Sequence, residues 1–188
     1  MRELLKIKIN SAINSFLKLG DSDLLSDILI STNIAIKALK AKKKIIFCGN
    51  GGSAADSQHL SAELVGKFKK KRKALNSISL TTDTSAITSI GNDMGFDKVF
   101  SRQLEAVGEK GDVLFALTTS GKSANILNAL KVSKKKKIKT ILLSSKFAKK
   151  TKLCDVNIRP NANRVDRIQE LHIAIGHLIC EMVEQELT

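Results

Sequence analysis

The sequence predicts an α/β fold: a doubly wound parallel sheet flanked by helices, with two leading helices before the first strand. Three observations carry this expectation. Short apolar runs at Ile45–Cys48, Ser77–Leu80, Asp112–Leu117, Lys139–Leu143 and Val156–Ile158 alternate with stretches of helical spacing. Two of the runs pass through a turn of glycine and hydroxyl residues straight into good helix formers. Ahead of them all, residues 2–39 hold two helical patterns and no strand.

The elements follow in order. Leu5, Ile9, Ala12, Ile13 and Phe16 recur at helical spacing over residues 2–18, and Gly20 with Asp21–Ser22 stops that helix and caps the next. The second helix is expected to bury Leu25, Ile28, Leu29, Thr32, Ile36 and Leu39. Together the two make an arm, packed on the core or on a neighbouring subunit. After the first strand, Ser53 stands at a helix N-cap and the helix runs to Val65. Asp83–Ile90 reads as a helix ended by Gly91, with Asn92, Asp93 and Gly95 in a polar turn, and Lys98–Val107 as another short helix. A helix follows Ser123. Pro160 ends the last strand, and a final helix runs from about Arg164 to Glu184 with an apolar stripe of Ile168, Leu171, Ile175, Leu178 and Met182. Asp166, Gln169 and His177 fall on a different strip, which they share with Gly176.

Length and composition set limits. A chain of 188 residues suits one domain spanning 1–188, divided into a helical arm at 1–40 and an α/β core at 41–188. Hydrophobic residues make up 43% and charged residues 27%, the balance of a soluble globular protein. No apolar run approaches the ~20 residues of a membrane span, so no membrane partner is expected. The start, MRELLKIKIN, interleaves charge with apolar residues and does not read as a signal peptide. Cys48, Cys154 and Cys180 are widely spaced with no CxxC pair, which points to a reducing cytoplasm and away from a zinc ribbon or disulfide framework. The net charge of +14 comes from lysine runs at 42–44, 69–73 and 134–137, scattered between elements. With no Trp or Tyr to stack on bases, these read as solvated turns, and no nucleic-acid partner is expected. Their field attracts an anionic substrate.

The chemistry concentrates in IIFCGNGGSAADSQHLSAELVG, residues 45–66. Gly51 and Gly52, leading into a helix, suit close backbone approach to a ligand, and the free N–H groups and positive dipole end make an anion site. His59 and Glu63, four apart, project from one helix face as an acid/base or metal pair; a solvated ion pair is the alternative. The pattern repeats at TTSGKSANILNAL, where Thr118, Thr119, Ser120 and Ser123 bring four hydroxyls to a second helix N-terminus. A Walker A loop is excluded, since it needs glycine five residues before Gly121 and Ala116 stands there. The alternative for this loop is a capped helix without a ligand.

GNGGSAADSQH, the GND at Gly91–Asp93, TTSGKSAN and DRIQELH…GH together resemble the phosphoheptose isomerases of the sugar-isomerase (SIS) domain superfamily, whose fold is Rossmann-like. The resemblance covers nearly the whole chain. It implies conversion of sedoheptulose 7-phosphate to D-glycero-D-manno-heptose 7-phosphate, the first step towards the heptose of lipopolysaccharide or capsule. It implies substrate contacts at Gly51, Gly52, Ser53, Glu63, Asn92, Asp93, Asp166 and Gln169, and phosphate contacts at Thr118, Thr119, Ser120 and Ser123. The resemblance further implies that Glu63 and His177 are the acid/base pair and, since family members can also bind zinc, that His59, Glu63, Gln169 and His177 are the positions that would hold it. Thr118 and Lys122 replace residues often Ser and Asn in the family, and neither change removes a reacting group.

Two other classes compete. A non-catalytic SIS-domain relative that binds a replication initiator lacks the acidic residue and the final histidine, both present here. A sugar-phosphate-sensing regulator carries a DNA-binding domain for which this chain has no spare length. The resemblance also implies a homotetramer. Spacing adds a reason for shared sites: Gln169 and His177 are eight residues apart, ~12 Å along one helix. A single ion or substrate meeting both is more easily reached by taking one from each of two chains.

Overall fold

The computed structural model describes residues 1–188. Five strands, β1 (Ile45–Gly49), β2 (Ser77–Ser79), β3 (Val113–Leu117), β4 (Lys139–Leu143) and β5 (Val156–Ile158), form one sheet in the order β2-β1-β3-β4-β5, every neighbouring pair parallel. The helices are α1 (Arg2–Leu17), α2 (Ser22–Lys40), α3 (Gly52–Val65), α4 (Thr84–Met94), α5 (Val99–Val107), α6 (Ala124–Lys136) and α7 (Val165–Leu187).

All residues of β1 and β3 are buried, because helices cover both faces of the sheet and leave no solvated side. The two-residue strand period then sorts each apolar run between two cores. Ile45, Phe47, Val113, Phe115, Leu117, Ile141 and Leu143 join Leu24 and Ile28 of α2, Leu60 and Leu64 of α3, and Ile175, Ile179 and Val183 of α7. Ile46, Cys48, Leu114, Ala116 and Leu142 join Val99, Phe100 and Leu104 of α5 and Ile126, Ala129 and Leu130 of α6. The strand order reverses between β1 and β3, so the loops leaving these two strands lie side by side at the switch point, where such sheets bind ligands.

Several local expectations need correction. The helix expected to stop before Gly91 continues through Gly91, Asn92 and Asp93 to Met94. An interior glycine costs a helix only ~1 kcal/mol, whereas Gly95, at φ +98°, leaves helical space outright. The GND stretch is therefore helix, not turn. In α7, Leu178 and Met182 are exposed, while Ile179, Cys180 and Val183 enter the core. Stepping 168, 171, 175, 179 and 183 follows the 3.6-residue period that the expected stripe left after Ile175. In α2, Leu25 and Leu29 are half exposed, and Leu24, Ile28, Ser31, Thr32, Ala35 and Ala38 face inward. α2 packs on the core, but α1 buries none of its residues and turns Leu5, Ile9, Ile13 and Phe16 outward.

Candidate active site

The turn after β1 is Asn50–Gly51, with Gly51 at φ +56°. α3 begins at Gly52, so Ser53 lies within the first turn and makes no cap; its hydroxyl side is buried and its carbonyl accepts from Ser57 Oγ at 2.7 Å. Gly52 lies directly against its neighbour: a Cβ there would overlap the side-chain amide of Gln169 from α7 as it stands. The second loop is tied up by its own hydroxyls. Thr118 Oγ1 accepts from the Gly121 N–H at 3.2 Å, and Ser120 Oγ accepts from the Lys122 N–H at 3.1 Å. Thr118 Oγ1 is 3.3 Å from Ser123 Oγ. Ser123 is the residue before α6 and makes no side-chain cap bond, which leaves its hydroxyl facing the loop. Asn50 and the buried Asn125 exchange amide hydrogen bonds of 2.9 and 2.8 Å, bridging the two loops across the switch point.

Further along α3 a second cluster forms against α7. His59 Nε2 is 2.8 Å from His177 Nε2 and 3.2 Å from Glu63 Oε1. Gly176 permits the approach of the helices, since a Cβ there would come within 2.5 Å of the Leu60 methyl carbons. Burial, with His59 beside it, pulls the His177 pKa down, and Glu63 opposes the shift. The Phe68 ring lies against His177, centroids 5.5 Å apart.

The ligand atoms of His59, Glu63 and His177 lie within 4.8 Å of one another. A tetrahedral ion with bonds of ~2.0–2.2 Å separates its ligand atoms by about 3.3–3.6 Å, so this set fits a metal with small side-chain movement. Two imidazoles and a carboxylate suit a borderline cation such as zinc.

The structure thus brings together Gly51, Gly52, Ser53 and Gln169 at one place, Thr118, Thr119, Ser120 and Ser123 beside them, and His59, Glu63 and His177 at another. Gln169 does not join the second group within the chain, since it rests on Gly52, seven residues or ~10 Å below His59 on α3. Asn92 and Asp93 hydrogen-bond to each other at 2.8 Å on the exposed side of α4. Asp166 is exposed and paired with Arg164 at 2.7 Å. Neither the asparagine–aspartate pair nor Asp166 hydrogen-bonds to the cluster.

Three residues escaped the sequence reading. Asp56 has a buried Oδ2 without a partner, and burial raises its pKa to about 6 against the lowering effect of His59. Its signal was available, because positions 56, 59 and 63 share one helix face. His172 is fully buried, its Nε2 2.7 Å from the Ser144 carbonyl, and its face is that of Ile168, Ile175 and Ile179. Arg72 looked like one more cation in a basic run, yet its side chain is only 3% exposed.

Comparison with known proteins agrees with this architecture. Residues 10–145 match the family model described as the SIS domain. A phosphoheptose isomerase of Akkermansia muciniphila is 45% identical over 188 residues, covering 100% of this chain and 98% of the relative. One from Nitratiruptor sp. is 53% identical over 153 residues, 81% of this chain and 82% of that one. The solved phosphoheptose isomerase of Neisseria gonorrhoeae superposes with a TM-score of 0.90 at 35% identity, over 98% of both chains. The chain belongs to the SIS-domain family and, within it, to the phosphoheptose isomerases.

Proposed function

We propose that the protein converts sedoheptulose 7-phosphate to D-glycero-D-manno-heptose 7-phosphate, an aldose–ketose isomerisation that opens heptose synthesis for lipopolysaccharide or capsule. The observation that carries this reading is the pairing of two hydroxyl- and glycine-lined helix N-termini with a separate His59–Glu63–His177 cluster. The Thr118–Ser123 loop and the Gly51–Ser53 turn take the phosphate and the polyol, and binding energy far from the reacting carbons orients C1 and C2. Glu63 withdraws the C1 proton to give the enediol, and returns a proton to C2. His177 moves the hydroxyl proton between O1 and O2. Asn92, Asp93, Asp166 and Gln169 hold the remaining hydroxyls. His59, Glu63, Gln169 and His177 would hold a zinc ion, which when bound supplies charge to stabilise the oxyanion that develops on the carbonyl oxygen. Both members of the acid/base pair are present, which favours an enzyme over a non-catalytic relative that binds a replication initiator or senses sugar phosphates.

The sites are shared between subunits of a cytoplasmic homotetramer. In one chain Gln169 rests at the start of α3, whereas Glu63 lies eleven residues beyond Gly52, ~16 Å along the axis. The outward apolar side of α1 offers the packing surface for such an assembly. The test of function is incubation of the purified protein with sedoheptulose 7-phosphate and, separately, with phosphate-free sedoheptulose. An aldose heptose 7-phosphate should accumulate only from the first. Absence of any aldose from the phosphorylated ketose, with metal supplied, would refute the reading.

A further inference from the structure

The segment 66–74 carries a lysine-rich run that gives no hint of a buried role, yet a buried carboxylate and a buried guanidinium grip it. Glu184, on α7, is 1% exposed. Its Oε2 accepts from the N–H groups of Lys69 and Lys70 at 2.8 and 2.9 Å, and its Oε1 from Phe68 N–H at 3.1 Å and Arg72 Nε at 2.9 Å. The rest of the Arg72 guanidinium closes the end of α3. Nη2 donates to the Glu63 carbonyl at 2.7 Å, and Nη1 to the carbonyls of Leu64, Gly66 and Lys73 at 2.8, 3.2 and 3.1 Å. A helix leaves its last carbonyls without partners inside it, and here one side chain takes up two of them, Glu63 and Leu64. Lys69 Nζ adds an exposed link to Glu181 at 2.6 Å.

The consequence lies two turns back on α7. Glu184 and His177 are seven residues apart, on the same face. Pinning the backbone of Phe68 to Glu184 sets the Phe68 ring against the His177 imidazole, and pinning the Glu63 carbonyl to Arg72 sets the height of the Glu63 side chain against the same imidazole. A surface loop held only by lysines would not fix either. We propose that the buried Arg72–Glu184 pair and the Phe68 ring it holds are positioning residues for the His59–Glu63–His177 cluster, setting the orientation of His177 relative to Glu63. The proposal rests on the isomerase reading for its kinetic consequences, but the placement of Phe68 on His177 can be read without turnover.

With three histidines in the chain, one of them buried in the core, selectively labelled imidazole signals are few enough to assign by substitution. Glu184→Gln and Arg72→Met should move the His177 ring-proton resonances downfield, towards those of Phe68→Ala, because the ring current of Phe68 is withdrawn. In turnover, Phe68→Ala should lower kcat about tenfold or more with KM changed less than about threefold, since misplacement of a reacting group costs rate more than binding. Phe68→Tyr, which keeps the ring, should restore kcat to within about threefold of wild type. Ile28→Ala, a core truncation away from the cluster, supplies the comparison for lost stability alone, and should keep kcat within about twofold. Two results overturn the proposal: a folded Phe68→Ala protein with wild-type kcat, or unshifted His177 resonances in Glu184→Gln. If Arg72→Met fails to fold, the Phe68 and Glu184 variants decide alone. A wild-type protein without isomerase activity refutes the functional reading and leaves the resonance test of the clasp standing.

Discussion

His59 and His177 meet nitrogen to nitrogen: their Nε2 atoms are 2.8 Å apart, and Glu63 Oε1 stands 3.2 Å from the same His59 nitrogen. Two imidazoles at that distance can share one proton but cannot both carry one on that axis. Either one Nε2 therefore donates to the other, or the position goes to a cation. Both outcomes suit a site that must move protons beside a developing oxyanion.

Glu63→Gln preserves size and helix propensity while removing the base. Turnover should fall by ~10²-fold or more with the fold intact. Near-normal turnover would leave Glu63 as no more than a partner of His59.

The double substitution Ser120→Ala and Ser123→Ala removes two hydroxyls from the second loop. Binding of any phosphosugar should weaken, each lost charge-assisted hydrogen bond being worth ~1.5–3 kcal/mol. Titration with sedoheptulose and with its 7-phosphate separates the cases. An equal loss for both ligands would mean that the loop does not hold the phosphate.

His172 should give the protein a pH-dependent stability. Burial pulls its pKa down to about 4, against the pull of the Ser144 carbonyl, so the folded state keeps it neutral while the unfolded chain protonates it near 6.5. Between those values the unfolded state binds more protons, so stability is complete above about pH 6.5 and is lost as pH falls towards 4, by at most ~1.4 kcal/mol per unit. Asp56, with its pKa raised by burial to about 6, acts in the opposite sense over about pH 4–6, weakly because the residue is half exposed. Urea unfolding of wild type and His172→Gln at several pH values should show the acid loss flattened in the variant. Identical slopes would count against a neutral core histidine.

The strands and their order of appearance could be read from the sequence because buried parallel strands leave continuous apolar runs, and the two glycine- and hydroxyl-lined loops because those residues follow the runs directly. Helix limits were less legible. Gly91 looked like a stop, yet only Gly95 takes a backbone angle that a helix cannot accommodate. The faces of α2 and α7 shifted by one residue, since neighbouring positions such as Leu178 and Ile179 are equally apolar and only packing on the sheet decides between them. Arg72 could not have been singled out, because its partner Glu184 is 112 positions away and its four neighbours in the run are lysines, indistinguishable from it as surface charge. His172 was legible but overlooked, being in step with Ile168, Ile175 and Ile179.

Co-expression of Gln169→Ala and His177→Asn chains tests the shared site. Mixed oligomers should regain a fraction of wild-type activity, because some sites then combine an intact Gln169 with an intact His177 of another chain, while each variant alone stays inactive. Verified mixed oligomers without recovery, or an active monomer, would end the shared-site account.

The most direct measurement is isomerisation of sedoheptulose 7-phosphate in deuterated water, followed by mass and proton analysis of the aldose. Removal and return of a proton by Glu63 passes it through a group that exchanges with solvent, so the wild-type aldose should carry deuterium at C2, and Glu63→Gln should form labelled product ~10²-fold or more slower. An aldose formed by Glu63→Gln at the wild-type rate and with the same label as wild type would contradict proton transfer by the His59–Glu63–His177 cluster.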